Sequence, residues 1–160
     1  MKTIAILGTL DTKGEEHAFV AELIRQRGHE TLLIDAGTLG DPTVAPDVPR
    51  ADIIGDQQFA DRGAAVAAMA EAAAEFCAKL VAEKKIDGII SLGGGGGTAI
   101  GTAVMRALPV GFPKLMVSTL AASESVPSYM GVKDVTMMPS IVDVAGLNRI
   151  SRPIFANAAG

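Results

Sequence analysis

The sequence predicts an α/β fold, a Rossmann-like three-layer sandwich with a mostly parallel sheet of four to five strands and helices on both faces. Three observations predict it. Short apolar runs alternate with longer stretches of helical periodicity, the order expected of strand-helix-strand units. The short runs are apolar throughout rather than at every second residue, as in strands covered on both faces. The chain has 160 residues, 49% of them hydrophobic, enough for one domain with a continuous core.

The elements follow in order. TIAILG, Thr3 to Gly8, is rich in β-branched residues and ends at glycine, so it reads as a buried strand. In the segment after it, Thr12 and Glu15 have the spacing of a capping box. Ala18, Leu23 and Ile24, with Phe19 or Val20, supply an apolar helical face, and Gly28 a stop. TLLIDAG, 31–37, is a second buried strand. A long loop with Pro42, Pro46 and Pro49 follows, containing one brief apolar pair, Ile53 and Ile54; loops of such length are usually functional or mobile. From Asp61 to Lys85 the chain is alanine-rich and spaces Val66, Met69, Ala73, Phe76 and Leu80 three and four apart, which predicts a long helix with Glu75 and Lys79 paired on its outer face. Cys77, beside that stripe, reads as a packed thiol.

DGIISLG, 87–93, is a third strand, and Thr98 to Leu108 a short helix stopped by Pro109. PKLMVST, 113–119, is a fourth strand and VTMM, 135–138, a fifth. The tail VDVAGLNRISRPIFANAAG reads as one helix interrupted at Pro153 and then the start of another. It stops without an evident cap, as a chain that continues would. Met137, Met138 and Phe155 read as core or interface.

Composition narrows the functions. A net charge of −4 offers no general attraction to polyanions, so neither nucleic acid nor an anionic membrane is an expected partner. A single cysteine cannot form an internal disulfide, and the apolar stretch Thr3 to Leu10 is too short for a secretory signal, which points to the cytoplasm. The longest uncharged run, Gly88 to Met105, contains a glycine cluster that a lipid-facing helix would not favour. His17 and His29 have no cysteine or second histidine at ligand spacing, so no metal site is expected. His17, more than a turn inside its helix, reads as a surface or packing residue.

Right-handed crossovers bring every strand's C-terminal end to one edge, where open parallel sheets bind ligands. GTLDTKG, DAGTLG, GGGGGT and STLAASES thereby become neighbours, and three of them carry a Thr-Leu pair, at Thr9, Thr38 and Thr119. Glycine permits positive φ or close approach of another group but is disfavoured by about 0.5 to 1 kcal/mol against alanine in a regular element. The run from Gly93 to Gly97 therefore implies a ligand or a neighbouring backbone pressed on the turn, and its amides ahead of a helix at Thr98 make an anion site. The alternative is a tight turn with close helix packing.

No Gly-Lys-Ser/Thr follows, so this is not a standard P-loop. Gly94, Gly96 and Ala99 match a loose dinucleotide pattern, but no acidic residue between Thr98 and Ser123 is there to hold a ribose, which disfavours nicotinamide cofactors. A serine nucleophile elbow is missing as well, since Ser91 precedes the glycines. Lys13 falls in a first helical turn, where a cation is unfavourable unless an anionic ligand or a neighbouring carboxylate offsets it. Asp11 can orient Lys13, hold a metal or cap the turn. Asp35 ends a strand where α/β folds often meet a ribose hydroxyl. Thr98, Ser118, Thr119 and Ser123 offer hydroxyls either to a ligand or to helix caps. Asn148 and Arg149 can reach a phosphate, or serve as a cap and a subunit salt bridge.

ILGTLDTKGEE, SLGGGGGTAIG, STLAASES and PSIVDVAGLNRIS, in this order, resemble the N-terminal ATP-binding domain of the family that holds the tomato mosaic virus resistance protein and its bacterial relatives. The resemblance covers essentially the whole chain. It implies a single Rossmann-like nucleotide-binding subdomain over 1–160, the N-terminal part of a longer protein with a second α/β subdomain, the larger unit forming dimers. Carried over by motif, the phosphate-facing residues are Thr9, Asp11, Thr12, Lys13, Gly93, Gly94, Gly95, Gly96, Gly97 and Thr98, with Thr119 and Ser123 weaker. ATP is the expected ligand, with magnesium as its companion, and no catalytic residue is carried over. Two other functions fit the same residues: an enzyme acting on a small phosphorylated or carboxylated metabolite through Asp11 or Lys13, and an assembly subunit whose glycines only permit close packing.

Overall fold

In the computed structural model, which describes residues 1–160, the chain runs β1 (Thr3–Gly8), α1 (Leu10–Gln26), β2 (Glu30–Asp35), α2 (Ala51–Ile54), α3 (Arg62–Ala82) and β3 (Gly88–Gly93). It continues through α4 (Gly95–Ala107), β4 (Lys114–Ser118), α5 (Val126–Met130), β5 (Thr136–Pro139) and α6 (Ser151–Ala158). The sheet has the order β2-β1-β3-β4-β5. Every pairing is parallel, with Gly8 beside Asp35, Leu7 beside Ser91 and Gly93 beside Ser118.

The strands are apolar throughout because alternate residues enter different cores. Ala5, Leu7, Ile34, Ile89 and Met116 join Met69, Ala73, Ile100 and Val104 under α3 and α4. Ile6, Leu33, Ile90, Leu92 and Val117 join Val20, Ile24 and Phe155 under α1 and α6. Full burial of a side chain such as Phe155 contributes about 1.5–3 kcal/mol. Met137 and Met138 split likewise, one packing on each core. The chain moves one way from β1 to β2 and the other way from β2 to β3 and β4. Right-handed crossovers therefore place α1 on one face and α3 and α4 on the other.

Cys77 is fully buried in α3, and burial pushes its thiol up to about 12. It is a packed, unreactive thiol. Asp61 caps the same helix by accepting from the Ala64 amide at 2.8 Å. On the buried stripe, Ala65 and Cys77 lie deeper than Val66 and Phe76. Lys79 leans toward Glu83, at 3.9 Å, and not toward Glu75. No helix is long and apolar enough to cross a membrane.

Four local expectations are corrected. The first helix begins at Leu10, so Thr12 lies inside it and its hydroxyl turns back to Thr9 instead of forming a box with Glu15. The glycine run is not a loop ahead of Thr98: Gly93 ends β3, Gly94 is the cap, and Gly95 to Gly97 form the first turn of α4. In the tail, Pro153 does not break a helix. It occupies the first turn of α6, where its missing N–H is no loss. Residues 141–150 are irregular, tied down by the Gly146 amide donating to Glu16 and by Asn148 Oδ1, which accepts from Ile150 and Ser151. Finally, α2 and α5 are short helices that periodicity did not predict. Four or five residues do not complete an apolar stripe.

Candidate functional site

At the C-terminal edge, β1 and β3 lie side by side, yet their chains leave in opposite directions, into α1 on one face and α4 on the other. This is the topological switch point of the sheet, the place where a parallel α/β sheet leaves a crevice. A crevice of about 170 Å³ is present there. Thr9, Asp11, Thr12 and Lys13 line it from the β1 side and Gly94, Gly95, Gly96 and Gly97 from the β3 side. Thr38 and Leu39 close it from the loop after β2, Arg62 and Val66 from the start of α3, and Asp143 from the loop after β5.

The N-termini of α1 and α4 both open into it. In α4, Thr98 N donates to Gly94 O at 2.8 Å, and the amides before Thr98 lie ahead of the intrahelical ladder. Unpaired amides at a helix start attract negative charge. The five glycines differ in what requires them. None has positive φ. A Cβ on Gly93 would stand 2.8 Å from the Gly97 Cα, so the backbone needs glycine there. At Gly95 a Cβ would meet nothing within 4 Å, and at Gly96 and Gly97 its nearest neighbour would be 3.5 Å away, an ordinary contact. Nothing inside the chain demands glycine at these three positions.

Two cations reach the crevice, Lys13 and Arg62, and neither pairs with a carboxylate. The Arg62 guanidinium lies beside Gly96. Arg62 was not picked out from the sequence, although the signal that marked Lys13, a cation in a first helical turn, applies to it equally. Asp11 does not pair with Lys13. Its Oδ2 accepts from Leu39 N at 2.7 Å and Gly40 N at 3.2 Å, pinning the loop after β2, while its buried Oδ1 has no hydrogen-bond partner.

Five expected site residues do not line the crevice: Gly93, which packs against Gly97, and Asp35, Thr98, Ser123 and Thr119. Asp35 is 1% exposed, and its Oδ1 accepts from Gly37 N at 2.8 Å and Leu10 N at 3.3 Å. It ties β2 to the start of α1, and burial raises its pKa above the ordinary carboxylate value; it is enclosed by protein and does not face a ribose. Thr98 is fully buried, with its hydroxyl 2.6 Å from the Ser118 hydroxyl and its amide engaged, so it braces the glycine turn from below. Ser123 bonds Leu120 O at 2.8 Å, outside the crevice. Thr119 lies next to Gly94 and lines a neighbouring cavity of about 450 Å³ at the ends of β4 and β5. A second cavity, of about 380 Å³, shares Thr38, Leu39 and Arg62 with the crevice and has Ile54, Phe59, Ala65 and Met69 among its lining residues.

Fold and crevice together define a doubly wound, Rossmann-like α/β domain with a polar site at its switch point. The chain belongs to the uncharacterised protein family UPF0261, whose N-terminal domain it matches over residues 2–160. It is 46% identical to a UPF0261 protein of Clostridium tetani, over 99% of this chain and 41% of that protein. It is 32% identical to the ToMV resistance protein Tm-1(GCR237) of Solanum lycopersicum, over 95% of this chain and 23% of the plant protein. The chain thus spans about two-fifths of the length of its bacterial relative. Among solved structures, the UDP-GlcNAc 2-epimerase of Methanocaldococcus jannaschii superposes with a TM-score of 0.52 at 12% identity, over 99% of this chain and 43% of that one, a likeness of fold alone.

Proposed function

We propose that this domain binds ATP or a related nucleotide, holding its phosphates between the two helix N-termini. The observation that carries the reading is the glycine turn at Gly95 to Gly97, where side chains would fit the fold and yet none is present. Backbone that bare suits a ligand pressed against its amides. Lys13 and Arg62 supply the countercharge, Thr9 and Thr12 hydroxyls add donors, and magnesium arrives as ATP's companion. The sugar and base extend past Thr38 and Leu39 into the adjoining cavity, where Ile54, Phe59 and Met69 stand among polar residues such as Arg50, Gln57 and Gln58.

In the longer proteins of this family the domain serves as the N-terminal nucleotide-binding part of a cytoplasmic homodimer, without nucleic-acid or membrane partners. No residue is assigned a catalytic role. One observation favours a second reading, an enzyme for a small phosphorylated or carboxylated metabolite: the crevice itself is only about 170 Å³, and Asp143 lines it together with Lys13. Titration calorimetry with ATP, pyrophosphate and small phosphorylated or carboxylated metabolites separates the two. ATP binding that weakens in Lys13→Ala and Arg62→Ala supports the first reading. Equal affinity for ATP in wild type and both variants overturns it.

A further inference from the structure

Three pieces of backbone meet beneath the crevice: the end of β1, the first turn of α1 and the end of β3. One side chain touches all three from beneath. His17 is fully buried, with Nδ1 2.7 Å from Lys13 O and Nε2 3.3 Å from Leu92 N. Its ring lies so close over Gly8 that a Cβ on that glycine would overlap it. Lys13 O can only accept and Leu92 N can only donate, so these two bonds have Nδ1 carrying the proton and Nε2 offering its lone pair, while the Leu7 carbonyl also faces the ring. The ring is neutral and used on both sides. Burial is the largest influence and lowers its pKa below the ordinary histidine value, outweighing the Lys13 and Leu7 carbonyls and the Glu16 carboxylate, which raise it.

What the ring joins matters more than its burial. Lys13, whose carbonyl it holds, is the residue where α1 leaves helical geometry, at φ −131° and ψ 25°. Leu92, whose amide it accepts from, directly precedes the glycine run, two residues before the cap Gly94. We infer that His17 is a positioning residue that ties the Lys13 kink to the end of β3 and so sets the spacing between Lys13 and the Gly94–Gly97 amides before any ligand arrives. The inference rests on the reading of the crevice as an anion site only for its effect on binding; the tie itself exists in the free protein.

Three variants take it apart. His17→Phe keeps a ring and removes both bonds. His17→Asn keeps a donor near the Nδ1 position, and His17→Gln an acceptor near the Nε2 position. Amide proton–nitrogen spectra of the ligand-free proteins are expected to show the Lys13 and Gly94–Gly97 signals all displaced in His17→Phe. The glycine signals alone should move in His17→Asn, and the Lys13 signal alone in His17→Gln. Pyrophosphate affinity should fall about tenfold in His17→Phe and less in the other two. The imidazole nitrogen signals of the wild type should report the neutral ring protonated at Nδ1. Unmoved Lys13 and glycine signals in variants that merely melt at lower temperature would overturn the inference, as would a ring protonated at Nε2, a measurement that needs no variant to fold. Should pyrophosphate and ATP fail to bind the wild type, the anion reading falls while the amide displacements still decide the tie.

Discussion

Gly93 lies against Gly97 so closely that a Cβ on the first would stand 2.8 Å from the Cα of the second, yet Gly95 between them has open space where its side chain would be. One glycine run thus combines a requirement of the backbone with a vacancy facing the crevice. The two parts come apart under substitution. Gly93→Ala is expected to lose about 1–3 kcal/mol of stability through overpacking. Gly95→Ala should leave stability unchanged or raise it by up to about 1 kcal/mol, because alanine is the better helix former, while its methyl obstructs the crevice. Urea denaturation and ATP titration on both variants check this. Gly95→Ala binding ATP as well as wild type would remove the case for a ligand at the turn.

Lys13 and Arg62 face the crevice without carboxylate partners, so removing either should cost the fold little and the ligand much. Each alanine variant is expected to weaken ATP binding by roughly tenfold or more, since hydrogen bonds to charged groups contribute about 1.5–3 kcal/mol. The loss should shrink as salt is added, the mark of charge rather than shape. Calorimetric titrations at low and high ionic strength provide the measurement.

Thr98 and Ser118 make the opposite prediction. Their hydroxyls meet at 2.6 Å in the interior, so Thr98→Val leaves the Ser118 oxygen its bond from the Leu120 amide but removes its hydroxyl partner, and should destabilise the domain by about 1–3 kcal/mol. Thr98→Val with Ser118→Ala should recover part of that loss. A double-mutant cycle by chemical denaturation tests it. A Thr98→Val protein of full stability that no longer binds ATP would restore Thr98 to the ligand.

Three groups in contact with the folded interior or its edge shape the dependence of stability on pH, beside the exposed Asp87 and Glu83, whose pKa values are also lowered. His17 is held neutral with its pKa lowered from 6.5, so the unfolded chain binds the proton more readily; its contribution is present above about pH 6.5 and is lost as pH falls from there toward the folded value. Asp134, drawn down to about 2 by the Lys114 ammonium and the Gly111 amide, adds stability above pH 3.8 that is lost as pH falls toward 2. Asp35 works against it: its pKa is raised from 3.8 by burial, so its effect favours the unfolded chain as pH rises through that region. The slope just below pH 6.5 should therefore flatten in His17→Gln while the acid limb below pH 3.8 stays. Midpoints of thermal unfolding between pH 3 and 8 measure both.

Much of the architecture was readable in advance. Strand cores such as Ala5-Ile6-Leu7 and the long stripe of α3 announce themselves by period, because burial on a strand or helix face imposes spacing over a few neighbouring residues. The parallel sheet then put Thr9 and Gly95 on one edge, as crossover handedness requires. Arg62 could have been found by the rule that found Lys13. Asp35, Thr98 and His17 were of another kind. Their residue types say only that they can bond; beside any local partner, each has one that lies 25, 20 or 75 positions away.

Local pattern thus established which segments are strands, which faces are apolar and which edge gathers the polar loops, since each depends on the chemistry of adjacent residues. Folding in three dimensions settled the rest: that β1 lies between β2 and β3, that the crevice opens at that reversal, and which polar groups close on one another and which face the opening. Those outcomes depend on contacts between residues far apart in the chain, and such contacts leave no periodic trace in it.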